Sequence, residues 1–482
     1  MIDLFWGLSG MIVLLAIAIA FSTDRRKIRI RTVGLALAIQ VLIGVLVLFV
    51  PWGERALSTA SSAVQAVIDS SAEGIDFLFG EILPQEGSVF AFQVLPVIVF
   101  FASLTAVLYY LNVLQQVVRV VGGGLAKVLG TTRPESMNAA ANIFVGQTEA
   151  PLVIRPYVKR LSRSELFAVM VGGLTTVAGS VLVGYALLGA ELEYLIAASF
   201  MAAPGALAMA KLLVPAGSLE GALAGTTPAG TTAVGGTSSE QQEADDGGPP
   251  APRPSREAAG TDNVELGGQR YRAGPEPGTN ADIATDTDAA TNTNTDTDTD
   301  TEDLDESEPA QARNVIDAAA RGAGDGLQLA LNVGAMLLAF ISLIALANLI
   351  LGWVAGWFGY GDLTFETILG YLFAPVMFLV GTPWAEALDA GSFLGQKVIL
   401  NEFVAFADFG PQAQEFSAKG QAVITFALTG FANLGSIGIL LGGLGGIAKN
   451  RRGDIAQLGL RAVLAGTLAN LMSAAIVGAL MG

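Results

Sequence analysis

Asn142-Ile143-Phe144-Val145-Gly146-Gln147-Thr148-Glu149-Ala150-Pro151-Leu152 sets an amide, a hydroxyl and a carboxylate side by side in a chain that is 52% hydrophobic. Gly146 and Pro151 bracket the polar residues. Glycine permits backbone angles other residues avoid, and proline ends or kinks a helix. The stretch reads as a helix that breaks inside a membrane and presents polar groups to a cavity. A charge at bilayer depth costs roughly 2.5–3.5 kcal/mol on insertion scales, so it marks a pathway or a site. The bland alternative is a surface loop in which Glu149 caps a helix.

The surroundings favour the membrane. The mean hydropathy of the 482 residues is +0.56, and apolar runs recur that can each cross a ~30 Å hydrocarbon core as a helix. There is no cysteine and no histidine, which removes disulfides, thiolate metal sites and histidine catalysis. The net charge of −17 is local: residues 216–312 hold 20 acids and 4 arginines, and the remainder is close to neutral. That acidic segment is rich in Gly, Pro, Thr and Asp and ends in Thr-Asp repeats from Thr285 to Thr301. It cannot bury a core and reads as a disordered, solvated insert of a salt-adapted organism.

Positive charge sets the topology. Residues 4–21 form a first apolar helix. Asp3 stands where a signal peptide would be basic, and Arg25, Arg26, Lys27, Arg29 and Arg31 follow the helix. This loop is therefore expected in the cytoplasm, with both chain termini outside and the acidic insert cytoplasmic. Spans are expected at 34–50, 88–112, 164–188, 194–214, 327–352, 416–446 and 454–481, and interfacial segments at 54–86 and 363–380. The opening stretch has Arg133 before it and Arg155, Lys159 and Arg160 after it, so it leaves and returns on the cytoplasmic face. Residues 384–409, with Lys397, Asn401, Glu402 and Asp408, form a second polar hairpin, entering from outside.

Each hairpin precedes an interrupted span. Glu149 is followed 27 residues later by Thr176, within Gly172-Gly173-Leu174-Thr175-Thr176-Val177-Ala178-Gly179-Ser180. Glu402 is followed 31 residues later by Asn433, within Gly430-Phe431-Ala432-Asn433-Leu434-Gly435-Ser436. The predicted fold is an all-α integral membrane protein, an inverted repeat with two re-entrant hairpins and interrupted helices. Such units of opposite topology belong to secondary transporters with a site near the midplane. The expected divisions are 1–86 (scaffold), 87–215 (first transport repeat, hairpin about 133–158), 216–312 (insert), 313–383 (interfacial helix, span and outer interfacial helix) and 384–482 (second repeat, hairpin about 384–409).

Three motifs in order, Gly146-Gln147-Thr148-Glu149-Ala150-Pro151-Leu152, Asn401-Glu402-Phe403-Val404-Ala405-Phe406, and Gly430-Phe431-Ala432-Asn433 with Ser436-Ile437-Gly438, resemble those of the concentrative nucleoside transporters. The resemblance runs from about Gly87 to the C-terminus apart from the insert. It implies eight spans and two hairpins in a plasma-membrane homotrimer with one site per subunit. It implies that Gln147, Thr148 and Glu149 face the nucleobase, that Glu402, Asn433 and Ser436 bind ribose hydroxyls, and that Phe431 lines the pocket. It also implies a sodium site at Asn142, Thr176 and the backbone carbonyls of Val145 and Val177. The expected function is sodium-coupled nucleoside import by an elevator-type mechanism. A proton as the coupling ion, or another small polar solute, is the alternative.

No cofactor is expected beyond sodium, and the expected partners are nucleoside and the lipid bilayer, not nucleic acid. An anion transporter, for dicarboxylates for example, would want a buried cation in the site, and Lys397 is the one candidate. An enzyme would need a nucleophile, phosphate cradle or metal cluster beside Glu149 and Glu402, and the sequence has none. A channel needs a continuous polar pore and not two opposed hairpins.

Joining Ala216 to Arg313 through a short flexible linker should preserve uridine uptake in proteoliposomes, because the segment between them cannot pack. A deletion protein that inserts normally but fails to bind nucleoside contradicts this reading.

Overall fold

The structure is a computed structural model that describes residues 2–83, 89–219 and 312–481. The acidic insert, apart from its first four residues and its last, lies outside the described residues. All regular structure among the described residues is helical. α1 (Ile2–Ala20) and α2 (Ile30–Phe49) flank the basic turn, and α3 (Pro51–Ser70) starts on a proline at its first position. With α4 (Ala72–Phe79), α3 fills the segment read as interfacial, and both are largely exposed.

α5 (Phe90–Tyr110) leads into α6 (Val113–Leu129), which the sequence reading missed. Asn112 and Gly130, both left-handed with φ of 60° and 66°, close α6 at its two ends. α7 (Arg133–Ala141) and α8 (Arg155–Val158) are the arms of the first polar hairpin. α7 opens on a capping box in which the Thr132 amide donates to Glu135 Oε1 at 2.7 Å. A second capping box, Ser162 with Glu165, opens α9 (Arg163–Thr175). After a break come α10 (Gly179–Leu187) and α11 (Leu192–Leu213).

α12 (Val315–Gly356) is one helix of 42 residues. The expected interfacial helix and span are thus continuous. The small residues Gly322 and Gly326 lie against α5: a Cβ on Gly326 would stand 2.6 Å from Ala102 Cβ. These glycines serve as the contact face. α13 (Phe365–Leu379) packs along α14 (Ala387–Ile399), which with α15 (Glu402–Phe409) forms the second polar hairpin. α16 (Ala418–Leu428), a second break, α17 (Ser436–Ile447) and α18 (Arg452–Leu480) complete the chain.

Among the described residues, six stretches are long and apolar enough to cross a membrane: α2, α5, the α9–α10 pair, α11, α12 and the stretch Lys449–Leu480. The other two sequence-predicted spans, α1 and the α16–α17 pair, are helical as well. Burial sorts the spans into two sets. Within the apolar window of α9–α10, and again within that of α11, 94% of residues are buried, against 22% for α5 and 11% for α12. The first broken pair, α9–α10, and α11 are therefore buried within the chain, whereas α5 and α12 are largely exposed on it.

Candidate functional site

Both breaks are built from the same chemistry. α9 ends at Thr175; Thr176 is extended (φ −103°, ψ 173°), and the helix restarts at Gly179. The Thr175 hydroxyl donates to the Val171 carbonyl at 2.7 Å and the Thr176 hydroxyl to Gly172 at 2.9 Å. In the second break Thr429 Oγ1 donates to the Thr425 carbonyl at 2.7 Å. Hydroxyls one turn on thus back-bond to carbonyls in the last turn, and Thr425 O accepts from both the amide and the hydroxyl of Thr429.

The last carbonyls go to one side chain. Asn470 of α18 donates through Nδ2 to Thr175 O at 2.8 Å and to Thr429 O at 2.6 Å. Its Oδ1 accepts from Lys397 Nζ at 3.0 Å, and Lys397 also donates to Ala427 O at 2.7 Å. Gly430 makes this fit possible. Its φ is +144°, and a Cβ there would stand 2.5 Å from Asn470 Oδ1 and 2.6 Å from Thr175 O.

The hairpins seat on the breaks. The Gly179 amide donates to Phe144 O at 3.1 Å, and the Leu434 amide donates to Val398 O at 3.3 Å. Gly173 abuts Gln147, since a Cβ on Gly173 would fall 2.7 Å from Gln147 Cβ. Thr148 reaches α17, where a Cβ on Gly443 would meet its methyl at 3.0 Å.

Glu402 is the buried carboxylate of this region. It is the first residue of α15, whose N-cap Asn401 accepts from the Val404 amide at 2.9 Å. An anion is favoured at that helix end. Tyr185 OH donates to Glu402 Oε1 at 3.1 Å, and Asn433 Nδ2 donates to Oε2 at 2.8 Å. The Ser436 amide donates to Asn433 Oδ1 at 2.8 Å and so fixes that amide. Tyr185 is fully buried, stacked on Phe406 at 4.3 Å and edge-on to Phe403 at 4.8 Å.

The sequence-predicted residues thus fall into two groups. Glu402, Asn433 and Ser436 come together, with half-buried Phe431 in the same break. Gln147, Asn142 and Val145 are buried at the first hairpin, against the break that holds buried Thr176 and Val177. Thr148 and Glu149 are exposed, and Glu149 Oε2 accepts from the Gly146 amide at 3.3 Å. Several buried atoms lack a protein hydrogen-bond partner among the described residues: Asn142 Oδ1, Gln147 Oε1, Asn401 Nδ2 and Ser436 Oγ. Leaving such a group unmade costs about 1–3 kcal/mol. Tyr185 and Asn470 escaped the sequence reading. A lone Asn inside the apolar run of α18 was the one local signal available.

The arrangement is that of a polytopic helical membrane protein whose polar groups converge between two helix breaks. The "Na+ dependent nucleoside transporter N-terminus" family matches residues 9–82, "Nucleoside recognition" matches 91–192, and "Na+ dependent nucleoside transporter C-terminus" matches 278–478. Nucleoside permease NupC of Helicobacter pylori is 41% identical, over 98% of this chain and 97% of its own. Rat sodium/nucleoside cotransporter 1 is 31% identical, over 98% of this chain and 63% of its own. The structure of CNTnw in an inward-facing substrate-bound state matches with a TM-score of 0.79 at 46% identity, over 100% of this chain and 98% of its own. The chain is therefore a multi-pass membrane permease and not an enzyme. It belongs to the concentrative nucleoside transporter family.

Tyr185→Phe removes one of the donors to a buried carboxylate and should lower stability by about 1–3 kcal/mol. A clear fall in the thermal midpoint of the purified protein is expected. A midpoint equal to that of the parent would show that the bond contributes nothing.

Proposed function

We propose that the protein is a sodium-coupled nucleoside symporter working by an elevator-type mechanism in the plasma membrane. The observation that carries this is a set of buried polar atoms without protein partners among the described residues: the amide oxygen of Gln147 at the first hairpin, the hydroxyl of Ser436 at the second break, and the amide oxygen of Asn142 at the first hairpin. The first two suit a neutral, hydroxyl-rich ligand with a donor and acceptor edge, and the third suits a hard cation.

In this reading Glu402 accepts from ribose hydroxyls. A charged acceptor in a low-dielectric site strengthens such bonds. Tyr185 and Asn433 hold the carboxylate in place, Ser436 adds a hydroxyl, and Phe431 packs on the ligand. Gln147, Thr148 and Glu149 serve the base, the last two from the exposed side of the hairpin tip. Asn142 Oδ1 and the carbonyls of Val145 and Val177 supply oxygen to sodium. Thr176 Oγ1, whose proton is committed to Gly172, keeps lone pairs for the same ion.

The two polar hairpins are read as re-entrant and the halves as an inverted repeat. Matching contacts support this: a hairpin carbonyl accepts from a break amide at Phe144 and Gly179, and again at Val398 and Leu434. The contrast between buried α9–α10 and α11 and the exposed α5 and α12 supports a moving core against a fixed frame. So does CNTnw, whose structures are described as inward-facing, intermediate and outward-facing. The transport divisions at 87–215 and 384–482, the homotrimer, the outside termini and the cytoplasmic insert belong to the same proposal.

Labelled uridine in proteoliposomes is the test. A sodium gradient should drive accumulation, and Glu149→Gln or Glu402→Gln should abolish it while leaving the protein folded. Losing a hydrogen bond to the Glu402 charge should weaken binding roughly 10–150-fold, from about 1.5–3 kcal/mol. Thr176→Ala should weaken uridine binding mainly at low sodium, with high sodium restoring part of it, whereas Gln147→Ala should weaken it at every sodium concentration. Equal uridine affinity of the parent in sodium and in choline would remove sodium as the coupling ion and leave a proton in its place.

A further inference from the structure

We propose that Asn470 is the positioning residue that couples the cation-binding break to the nucleoside-binding break, and that Lys397 fixes its orientation. This rests on the sodium-coupled reading above. Asn470 is 2% exposed, and its bonds run to three different parts of the chain. Thr175 O, which it holds at 2.8 Å, belongs to the residue immediately before Thr176. Thr429 O, held at 2.6 Å, belongs to the residue immediately before Gly430, in the break that presents Phe431, Asn433 and Ser436. Lys397 Nζ, at 3.0 Å from Oδ1, lies on the same hairpin as Glu402 and also holds Ala427 O.

The amide has one workable orientation. Its two protons match two carbonyl oxygens, and its oxygen matches an ammonium. Turned over, it would set oxygen against two oxygens and an NH2 group against a cation. Lys397 therefore does more than fill space: fully buried, it selects the amide orientation that joins the breaks. Gly430 presses the second break onto both partners, leaving no room for one break to shift alone. A cation that orders Thr176 and moves the Thr175 carbonyl must carry Asn470 and Thr429 with it or leave a buried carbonyl unpaired, which is costly. Such a shared element is what a coupling free energy between two sites requires. A brace that merely holds the fold would lower stability and leave the sodium dependence of nucleoside binding untouched.

The test is uridine calorimetry on the full chain in sodium and in choline, for the parent, Asn470→Asp and Lys397→Met. Asn470→Asp is nearly isosteric but donates to neither carbonyl. In the parent the ratio of the two dissociation constants should fall in the roughly 5–150-fold range usual for coupled sites. In Asn470→Asp it should collapse to within about twofold of one, while sodium affinity measured without nucleoside stays near the parent value. Lys397→Met should move the ratio the same way, and the double variant should add nothing further. An Asn470→Asp protein that keeps the parental ratio overturns the proposal.

Should the variants fail to fold, hydrogen exchange on the unaltered protein decides. Sodium alone should slow exchange at residues 431–436 as well as near Thr176, and protection confined to the first hairpin and first break overturns the proposal. A parent ratio of one overturns the sodium reading itself, and this inference with it, which distinguishes the two failures.

Discussion

A helix interrupted inside a bilayer frees backbone carbonyls and amides that no water can reach, and the whole arrangement follows from how those groups are satisfied. Threonine hydroxyls take the carbonyls one turn back. The hairpin tips supply further partners: Phe144 and Val398 offer the carbonyls that Gly179 and Leu434 need. Asn470 takes the last carbonyl of each broken half. Breaks, hairpins and α18 are therefore one hydrogen-bonded unit. Removing any member leaves buried groups unpaired on the others, so the elements that present ligand atoms are held by the same bonds that allow the helices to break.

That economy also decides what charge the site can hold. Lys397 is the buried cation that an anion carrier would present to its substrate. Its ammonium instead faces Ala427 and Asn470, inside the framework. Glu402 has a donor on each oxygen from Tyr185 and Asn433, yet a carboxylate carries more lone pairs than two donors fill. A neutral ligand rich in hydroxyls can use the remainder without bringing charge of its own. Glu149 is placed differently: it is exposed, and its carboxylate accepts from the local Gly146 amide. The two glutamates that look equivalent in the sequence thus occupy unlike surroundings.

Much of this was legible before any coordinates. Small and polar residues clustered within apolar runs pointed to both breaks, and polar residues between basic runs pointed to the turn between α7 and α8. α6 lies outside the expected spans, yet its pattern, Leu114, Val118, Leu125 and Leu129 on one side with Arg119 and Lys127 elsewhere, is that of an amphipathic helix too polar to read as a span. The expected interfacial helix and span of 313–383 are one helix, α12, in which Gly322 and Gly326 allow the close approach to α5. Tyr185 and Asn470 were beyond reach for another reason. Their partners lie 217 and 295 residues away, and no local spacing records such a pairing.

The two halves share a construction and differ in chemistry, which is the condition for binding two unlike ligands together. In the first, an extended Thr176 sits against a hairpin tip that brings the buried amide oxygen of Asn142 and a buried backbone turn at Val145. These are hard, uncharged oxygens, suited to a monovalent ion that needs no carboxylate. In the second, Gly430 with its positive φ leads into Asn433, and the helix N-terminus of α15 adds a buried carboxylate. A carboxylate with hydroxyl and amide neighbours suits hydroxyl donors. The buried carboxylate of the first half, Glu135 on α7, is paired with Lys211 and is not part of the break, so a second carboxylate at the first break itself would add an unpaired buried charge. The two breaks lie against each other through uncharged groups, the Asn470 amide and the Gly430 backbone.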